Sequence, residues 1–285
     1  MIKRIFYLFL CVAICYGVSR FCHKETAGFR IAKITDNLFV GEDSSPSHEE
    51  QMKISSLLSQ RYTYFARGLE SFAFLSEDGQ YVLKIMNNRT QSKLYWLDFF
   101  PSLFSSMRCQ LQKKLQRSYE SYKIAYSELK EETALVFLHL HATDYLPNHL
   151  TLVDNLNISH VVDLNKMAFV LQKRASLCYP YLLSLKNAGK TEEAKEALVS
   201  LLHLLVARCK RGIADKDPLI RTNVGFIEQK PVLIDVGPFS YNSSIQERAV
   251  YKEEILRITA SLKDWLKNNY PELLGSVEEE LNALL

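Results

Sequence analysis

The apolar periodicity of this chain changes along its length in an order that few folds accommodate. From Arg61 onward apolar side chains alternate with a period of two, and the pair Asp78-Gly79 inside this stretch is a strong hairpin signal. The pattern predicts an antiparallel meander of three strands. The predicted strands lie near residues 61–67, 70–76 and 80–86.

A helical period then replaces the strand period. One apolar stripe predicts a long helix over residues 103–131, followed by strands over 134–141 and over 160–174, the latter with a turn at 163–166. The C-terminal part is mainly helical and holds one short strand pair, centred on 224–227 and 231–234. Its predicted helices cover residues 175–187, 191–211, 244–269 and 271–284. This order of strands and helices along the chain predicts an α+β fold, with a five-stranded antiparallel half and a helical half.

The composition is that of a folded globular protein. Of the 285 residues, 47% are hydrophobic and 24% are charged, and the mean hydropathy of −0.10 argues against a multi-span membrane protein. Residues 1–24 contain four basic residues and no acid, so the formal net charge of +3 leaves −1 on the remainder. We therefore expect no broad basic surface and no nucleic-acid partner.

The N-terminus carries the most apolar stretch of the chain. Residues 5–18 are uninterruptedly apolar and are flanked by basic residues on both sides. A run of this length suits the core of an export signal, but no clean cleavage site follows it, so an uncleaved membrane anchor is an equal alternative. A buried N-terminal helix is the third. We expect a membrane-associated or exported protein that meets the membrane through residues 5–18, on a side that the flanking charges leave open.

Residues 25–60 have a mixed composition. A polar linker is predicted at Asp43–Ser47, and Ser47 with Glu50 three residues later predicts a capping box for a helix that ends near Gln60. The domain organisation that follows is a signal or anchor, a linker with a short helix, and two halves of a folded body. These segments are 1–24, 25–60, 61–175 and 176–285.

Cysteine and histidine give no metal or disulfide pattern. Three of the six cysteines lie in the first 22 residues, and Cys109, Cys178 and Cys209 are widely spaced without a CxxC pair. His139 and His141 share one face of a predicted strand but have no evident third ligand. We therefore expect inert thiols and a structural histidine pair.

Three residues stand out by their chemistry. Lys84 is a lone cation within the apolar third strand, where it has to reach water or meet an anion such as a phosphate. Asn223 precedes one strand of the short pair and Asp235 ends the other, so the hairpin brings both to one rim. Oxygen atoms of these two types suit Mg²⁺.

These residues, in this order, resemble the protein-kinase-like fold. Asp235-Val236-Gly237 looks like the DFG triplet of that family, and Asn223 precedes it at close to the family spacing. The resemblance implies ATP and Mg²⁺ as cofactors, with Lys84 on the α/β phosphates and Asn223 and Asp235 on the metal. It covers about residues 61–285, and it is closer to atypical or small-molecule kinases, because there is no Ala-Pro-Glu motif and little chain follows Asp235.

The same resemblance implies further site residues. The turn that covers the phosphates would contain Gly68 and Ser71, where kinases carry several glycines. The acceptor-orienting acid would be Asp217, with Asp215 as the second choice, although the usual His-Arg prefix is missing. The partner of the strand lysine would be a glutamate of the long helix. The candidates for it are Glu120 and Glu128.

Three hypotheses for the function follow. The first is an ATP/Mg²⁺-dependent phosphotransferase whose acceptor and oligomeric state the sequence does not reveal. The second is a pseudokinase that serves as a membrane- or envelope-associated binding module, which the single glycine at Gly68, the missing prefix and the short helical half favour. The third is an envelope-associated interaction protein unrelated to kinases.

Overall fold

The computed structural model describes residues 2–41, 46–99 and 103–285. The predicted linker Asp43–Ser47 lies outside this range in its residues 43–45. The helices are α1 Ile2–Glu25, α2 His48–Leu58, α3 Arg89–Leu97, α4 Ser105–Glu128, α5 Cys178–Asn187, α6 Thr191–Lys210, α7 Ile220–Asn223, α8 Arg248–Asn269 and α9 Leu274–Leu284. Turns of 3₁₀ helix cover Ile31–Lys33, Leu164–Lys166, Ser243–Gln246 and Pro271–Leu273.

The strands form one large sheet and two small ones. The strands are β1 Tyr62–Arg67, β2 Ser71–Ser76, β3 Tyr81–Met86, β4 Leu135–His139, β5 Leu150–Val153, β6 Ser159–Val162, β7 Phe169–Lys173, β8 Ser176–Leu177, β9 Ile213–Asp215, β10 Val224–Ile227, β11 Lys230–Leu233 and β12 Phe239–Tyr241. The large sheet has the order β4-β7-β3-β2-β1-β5-β6, and the small sheets have the orders β11-β10-β8 and β12-β9.

The α+β class is confirmed, but the prediction of a five-stranded antiparallel sheet is wrong. The large sheet has seven described strands and is mixed, because β5 runs parallel to β1, with Tyr62 opposite Leu152. On its other side β5 pairs antiparallel with β6. Sequence periodicity missed β5 because four residues are too few to show an alternation, and its parallel neighbour is far away in the chain.

Most other predicted elements are confirmed within a few residues. The three-strand meander, the long helix α4, the helices α5, α6, α8 and α9, and the strand pair β10–β11 all lie where the periodicity placed them. The capping box is also present, since Ser47 Oγ accepts from Glu50 N and the Glu50 carboxylate accepts from Ser47 N. Helix α3 was not predicted.

The chain divides into two compact units. The first comprises residues 1–108 and 139–171, and the second comprises residues 109–138 and 172–285. In the first unit β2 and β3 bury aromatic and aliphatic side chains. The fully buried ones there include Phe72, Phe74, Leu83 and Ile85. Phe29, from the segment before α2, packs edge-to-face on Phe72 and Phe74, so this segment belongs to the core.

The second unit is built around α6. Its apolar stripe is buried and comprises Ala194, Ala197, Leu198, Leu201, Leu202 and Leu205. Arg211 is the C-cap of this helix, and Gly212, at φ +72°, follows it in the left-handed conformation that ends helices. Gly225 in β10 is required for packing, because a Cβ there would lie 2.7 Å from the Ser176 carbonyl oxygen in β8. The strands that lead to Asn223 and Asp235 are thus held closely in place.

Helix α1 exposes its apolar side chains. Its segment Ile5–Glu25 is long and apolar enough to cross a membrane, and none of the side chains described within it is buried inside the chain. The alternative of a buried N-terminal helix is therefore wrong, whereas export signal and membrane anchor both remain open.

Candidate functional site

The predicted site residues fall into both units, and each group is described within its own unit. Gly68, Ser71 and Lys84 lie in the first unit. The second unit holds Glu120, Asp215, Asp217, Asn223 and Asp235.

Lys84 lies in the middle of β3, opposite Ala73 of β2. Leu83 and Ile85 point to the opposite face of the sheet and are fully buried. Val82 and Met86, on the face of Lys84, are also buried, and the lysine itself is half-buried. The strand therefore holds the stem of Lys84 in an apolar layer, as expected for a cation that reaches out of the sheet.

The predicted phosphate-covering turn joins β1 to β2. Gly68 N donates to the Ser71 carbonyl at 2.9 Å and closes the turn, whose tip residue Leu69 is 80% exposed. A Cβ on Gly68 would lie 3.4 Å from Ser71 Oγ, and the backbone of Gly68 is not left-handed. The turn is thus a tight hairpin connection that its own backbone closes.

Four polar residues of the second unit come together around one loop. Asp215 ends β9, where it pairs with Phe239 of β12. Its Oδ1 accepts from Asp217 N at 2.9 Å, and Asn223 Nδ2 donates to the Asp217 carbonyl at 2.6 Å. The backbone of Asp217 is therefore held at both its N–H and its carbonyl, while its side chain is exposed.

Asp235 joins this group through the strand pair. Ile234 N donates to the Asn223 carbonyl at 2.8 Å, so Asp235 follows directly on a residue bonded to Asn223. Strand β11 ends at Leu233, and Asp235 lies just past it as an exposed carboxylate whose Oδ1 accepts from Gly237 N. Asn223 and Asp235 are thus neighbours, as the hairpin predicts.

Ser121 fixes the segment that follows Asp235. This fully buried side chain of α4 donates to the Val236 carbonyl at 2.6 Å and accepts from Phe239 N at 2.7 Å. Two short hydrogen bonds to one loop determine its position closely. Sequence reasoning missed Ser121, because a serine within a helix gives no signal of a distant partner.

Arg208 is the second residue that sequence reasoning missed. It is 1% exposed, and its Nη1 lies 3.3 Å from Asp215 Oδ2. Its position continues the apolar spacing of Leu201 and Leu205 along α6, and that spacing was the available signal. A charge on a buried helical stripe needs an opposite charge, which the following strand supplies.

The electrostatics of the group follow from burial. Burial raises the pKa of Asp215, the Arg208 guanidinium and the Asp217 N–H oppose this rise, and the Asp235 and Asp217 carboxylates add to it. The Asp217 and Asp235 carboxylates therefore both lie close enough to Asp215 to oppose its ionisation, and a cation bound at Asn223 and Asp235 would offset part of this effect.

The donor set fits Mg²⁺ bound together with phosphates. Mg²⁺ is usually held by one or two carboxylates plus phosphate oxygens and water. Asn223 uses its Nδ2 on Asp217, which leaves its Oδ1 as the acceptor atom, and Asp235, the residue after the Ile234 N–H that bonds to the Asn223 carbonyl, has an exposed carboxylate. Within residues 2–41, 46–99 and 103–285, no group of three or more His, Cys, Asp or Glu side chains is placed to hold a metal by itself.

The two glutamate candidates both lie on α4 in exposed positions. Glu120 Oε1 accepts from Gln116 Nε2 at 2.9 Å, and the carbonyl of Glu128 accepts from Arg211 Nη1 at 2.7 Å. The choice between them as the partner of Lys84 stays a prediction.

The two histidines of the predicted pair lie in the first unit. Both rings are buried, with His139 bonded to the Met167 carbonyl and to Thr143 Oγ1. His141 Nδ1 lies 3.1 Å from the Phe39 carbonyl. Both buried rings are thus hydrogen-bonded to backbone carbonyls of the first unit.

A cavity of about 560 Å³ opens next to the acidic loop in the second unit. Asp215 and Lys216 line it on one side, and Glu253, Glu254 and Arg257 of α8 line it on the other. Arg257 forms a two-pronged ion pair with Glu254. The cavity is therefore polar, with both signs of charge on its wall.

Comparisons with known proteins show structural similarity only. No family model matches the chain, and no curated protein matches it. Among solved structures it is similar to the bifunctional kinase-methyltransferase WbdD, at a TM-score of 0.39 and 15% identity over 77% of this chain and 45% of that one. The chain thus spans less than half the length of WbdD.

Two further similarities are of the same order. Rv3197 of Mycobacterium tuberculosis, solved with erythromycin, gives a TM-score of 0.36 at 13% identity over 80% of this chain and 60% of its own. APH(2")-IIa, solved with streptomycin and ATP, gives a TM-score of 0.28 at 12% identity, over 84% of this chain and 87% of its own. At these scores the similarities assign neither a fold family nor a function to this chain.

Proposed function

We propose that this protein is a protein-kinase-like phosphotransferase that uses ATP and Mg²⁺ to phosphorylate a small polar acceptor. The observation that carries the proposal is the arrangement of Asp217, Asn223 and Asp235 around one loop of the second unit, with the Asp217 backbone held at both ends. The proposal includes an N-lobe over residues 61–175 and a helical C-lobe over residues 176–285. It also includes α1 as a membrane anchor or export signal.

Each residue has one proposed role. Asn223 Oδ1 and the Asp235 carboxylate would hold Mg²⁺, which when bound neutralises phosphate charge. Lys84 would bind the α/β phosphates, with Glu120 or Glu128 as its partner. The turn containing Gly68 and Ser71 would cover the phosphates.

Asp217 would orient the acceptor. Its exposed carboxylate accepts the proton of the acceptor hydroxyl, while the hydroxyl oxygen forms a bond to the γ-phosphorus and the bond from that phosphorus to the leaving oxygen of ADP breaks. Because Asp215 and Asn223 hold the backbone of Asp217, fewer conformations are open to its carboxylate, and the entropic cost of positioning it is smaller. Asp215 itself is buried and paired, which favours Asp217 as the acceptor-orienting residue.

The cavity lined by Asp215 and Lys216, which precede Asp217 in the chain, would take the small acceptor. Its volume of about 560 Å³ is within the range of small-molecule sites. Lys216, between the two aspartates in sequence, lines it together with charged residues of α8. A polar molecule with one or more hydroxyls fits such a wall.

Thermal stability of the full-length protein in detergent tests nucleotide binding. We expect Mg-ATP to raise the melting temperature, because a ligand that binds only the folded state stabilises it. The Asp235→Asn variant should lose this shift, whereas Asp264→Asn on the surface of α8 should keep it as the matched control. No shift in the parent protein at millimolar Mg-ATP would contradict the proposal.

Transfer of radiolabelled phosphate tests catalysis. Asp217→Ala should lower turnover by roughly 10²-fold or more and leave ATP affinity within a few-fold, since its partner is the acceptor and not the nucleotide. If Asp215→Ala gives this result while Asp217→Ala does not, the assignment of the acceptor-orienting acid is wrong.

The second candidate is a pseudokinase that binds nucleotide without transferring phosphate. The single-glycine turn favours it, because Gly68 is bonded to Ser71 and the turn offers little extra backbone freedom for contact with phosphates. A thermal shift with Mg-ATP, combined with no labelled product from the protein or from a lysate, would favour this candidate over the enzyme.

A further inference from the structure

Helix α1 leads directly into the core of the first unit. Thr26 donates through both its N and its Oγ1 to the Cys22 carbonyl, which continues the last turn of the helix. Phe29, only four residues after the helix ends at Glu25, is 3% exposed and packs on Phe72 at 5.3 Å between ring centroids. There is thus no free linker between α1 and the folded unit.

Two contacts from distant strands also hold the end of α1. Arg67 Nη1, at the end of β1, donates to the Ala27 carbonyl at 2.8 Å. Asn155 Nδ2, at the tip between β5 and β6, donates to the Glu25 carbonyl at 3.1 Å. The surface around the helix exit therefore has a defined position relative to the end of α1.

That surface gathers cations. Arg30, Arg67 and Arg89 lie close enough to Lys33 that, after partial burial as the larger cause, their charges lower its pKa. The last turns of α1 add two further cations, Arg20 and Lys24. The acids of these segments and of the tip between β5 and β6 are Glu25, Asp36, Glu70 and Asp154, which are fewer than the cations, so positive charge remains in excess.

Apolar side chains lie at the same place. Leu156 and Ile158 flank the tip between β5 and β6 and are 37% and 51% exposed. Asn155, which bonds to the end of α1, belongs to the same tip. Cations next to exposed aliphatic side chains, at the root of an apolar helix, are the chemistry that recognises an anionic bilayer surface.

We propose that this exit face, formed by Arg30, Lys33, Arg67, Arg89 and the tip Leu156–Ile158, lies on the anionic headgroups of the bilayer that α1 spans. The face lies within a few residues of the membrane boundary because no linker separates them, and this distance is inside the Debye length at physiological salt. The proposal requires α1 to remain in the membrane and does not depend on phosphotransfer.

Hydrogen exchange of the full-length protein in lipid nanodiscs tests the proposal. Discs of phosphatidylcholine alone are compared with discs in which about a third of the lipid is phosphatidylglycerol. We expect slower exchange in peptides covering residues 26–35 and 154–160 in the anionic discs, with the difference reduced at high salt.

The variant Arg30→Gln/Arg89→Gln removes two exposed cations whose side chains make no hydrogen bond that holds the helix exit. It should weaken docking of the face by roughly 30-fold and abolish the difference between the discs. The matched control Lys230→Gln/Lys252→Gln removes the same charge from exposed positions of the second unit and should keep the difference. Equal melting temperatures of the two variants would show that folding is unaffected.

Two results would overturn the proposal, for distinguishable reasons. Protein that does not co-elute with either disc would show that α1 does not anchor the chain. Protein that co-elutes with both discs and exchanges identically in them would show that the face does not recognise anionic lipid. Neither result bears on the thermal shift with Mg-ATP, which tests the proposed function separately.

Discussion

Two buried aspartates, one in each unit, are satisfied in opposite ways. Asp154, between β5 and β6, accepts from Leu156 N, Ile158 N and His160 Nε2 at 2.9–3.0 Å. Burial opposes its ionisation, yet these hydrogen bonds outweigh burial and hold the pKa of Asp154 below its usual value. It is a carboxylate that the fold stabilises.

Asp215 accepts fewer hydrogen bonds than Asp154, and its charged neighbour is a buried arginine. One oxygen accepts from Asp217 N, and the other faces Arg208, whose guanidinium nitrogens make no hydrogen bond within the described part of the chain. Burial raises the pKa of Asp215. The difference indicates that the hairpin around Asp154 is built for stability, whereas the loop around Asp215 holds poorly satisfied charge, as functional loops often do.

Breaking the pair at Arg208 should give the largest effect. Arg208→Met leaves the Asp215 charge buried and unpaired, so we expect a loss of about 3–5 kcal/mol in the free energy of unfolding. Chemical denaturation of the full-length protein measures this loss. The double variant Arg208→Met/Asp215→Asn should recover most of this loss. A smaller loss of stability for Arg208→Met than for Asp154→Asn would contradict the view that the Arg208–Asp215 pair is the more sensitive of the two sites.

Asp154→Asn should cost less. The amide keeps one oxygen but places a donor where a carboxylate oxygen accepted, so we expect a loss of about 1–3 kcal/mol in the free energy of unfolding. The exposed Asp144→Asn serves as the control and should stay within about 0.5 kcal/mol of the parent. Equal losses for the two variants would mean that the hydrogen bonds of Asp154 contribute nothing.

The two aspartates should also differ in the sign of their pH dependence. The folded pKa of Asp154 is lowered, so its contribution to stability is present above the unfolded pKa of about 3.9 and is lost as the pH falls through the folded value. The folded pKa of Asp215 is raised, so its contribution is present below the unfolded value and is lost as the pH rises through the folded one.

Unfolding free energies measured from acid to neutral pH check this sign. The gap between the parent and Asp154→Asn should close on acidification. Relative to Asp215→Asn, the parent should lose stability as the pH rises toward neutrality. Parallel curves for both variants would contradict the assigned shifts.

The smallest expected effect belongs to an exposed polar contact. Ser47→Ala removes the capping box of α2 and should cost about 1 kcal/mol, because one exposed N-cap hydrogen bond is lost. Thermal or chemical denaturation measures it. A cost as large as that of Arg208→Met would show that burial does not set the scale of these effects.

Local sequence patterns predicted much of the fold and part of the site. The pair Asp78-Gly79 placed the β2–β3 hairpin, and the capping box at Ser47 placed the start of α2. The adjacency of Asn223 and Asp235 followed from one short strand pair. Such features depend on residues that are near in sequence, whose geometry the backbone alone restricts.

The sequence by itself determined the α+β class, the order of the main elements and which polar residues border the short hairpin. Only the tertiary structure decided that β5 lies parallel to β1, that Ser121 holds the loop after Asp235, and that Arg208 faces Asp215. Periodicity records which side of an element is apolar, and it contains no information on which distant partner covers that side. Contacts between residues far apart in the chain depend on packing, and packing is a property of the whole fold.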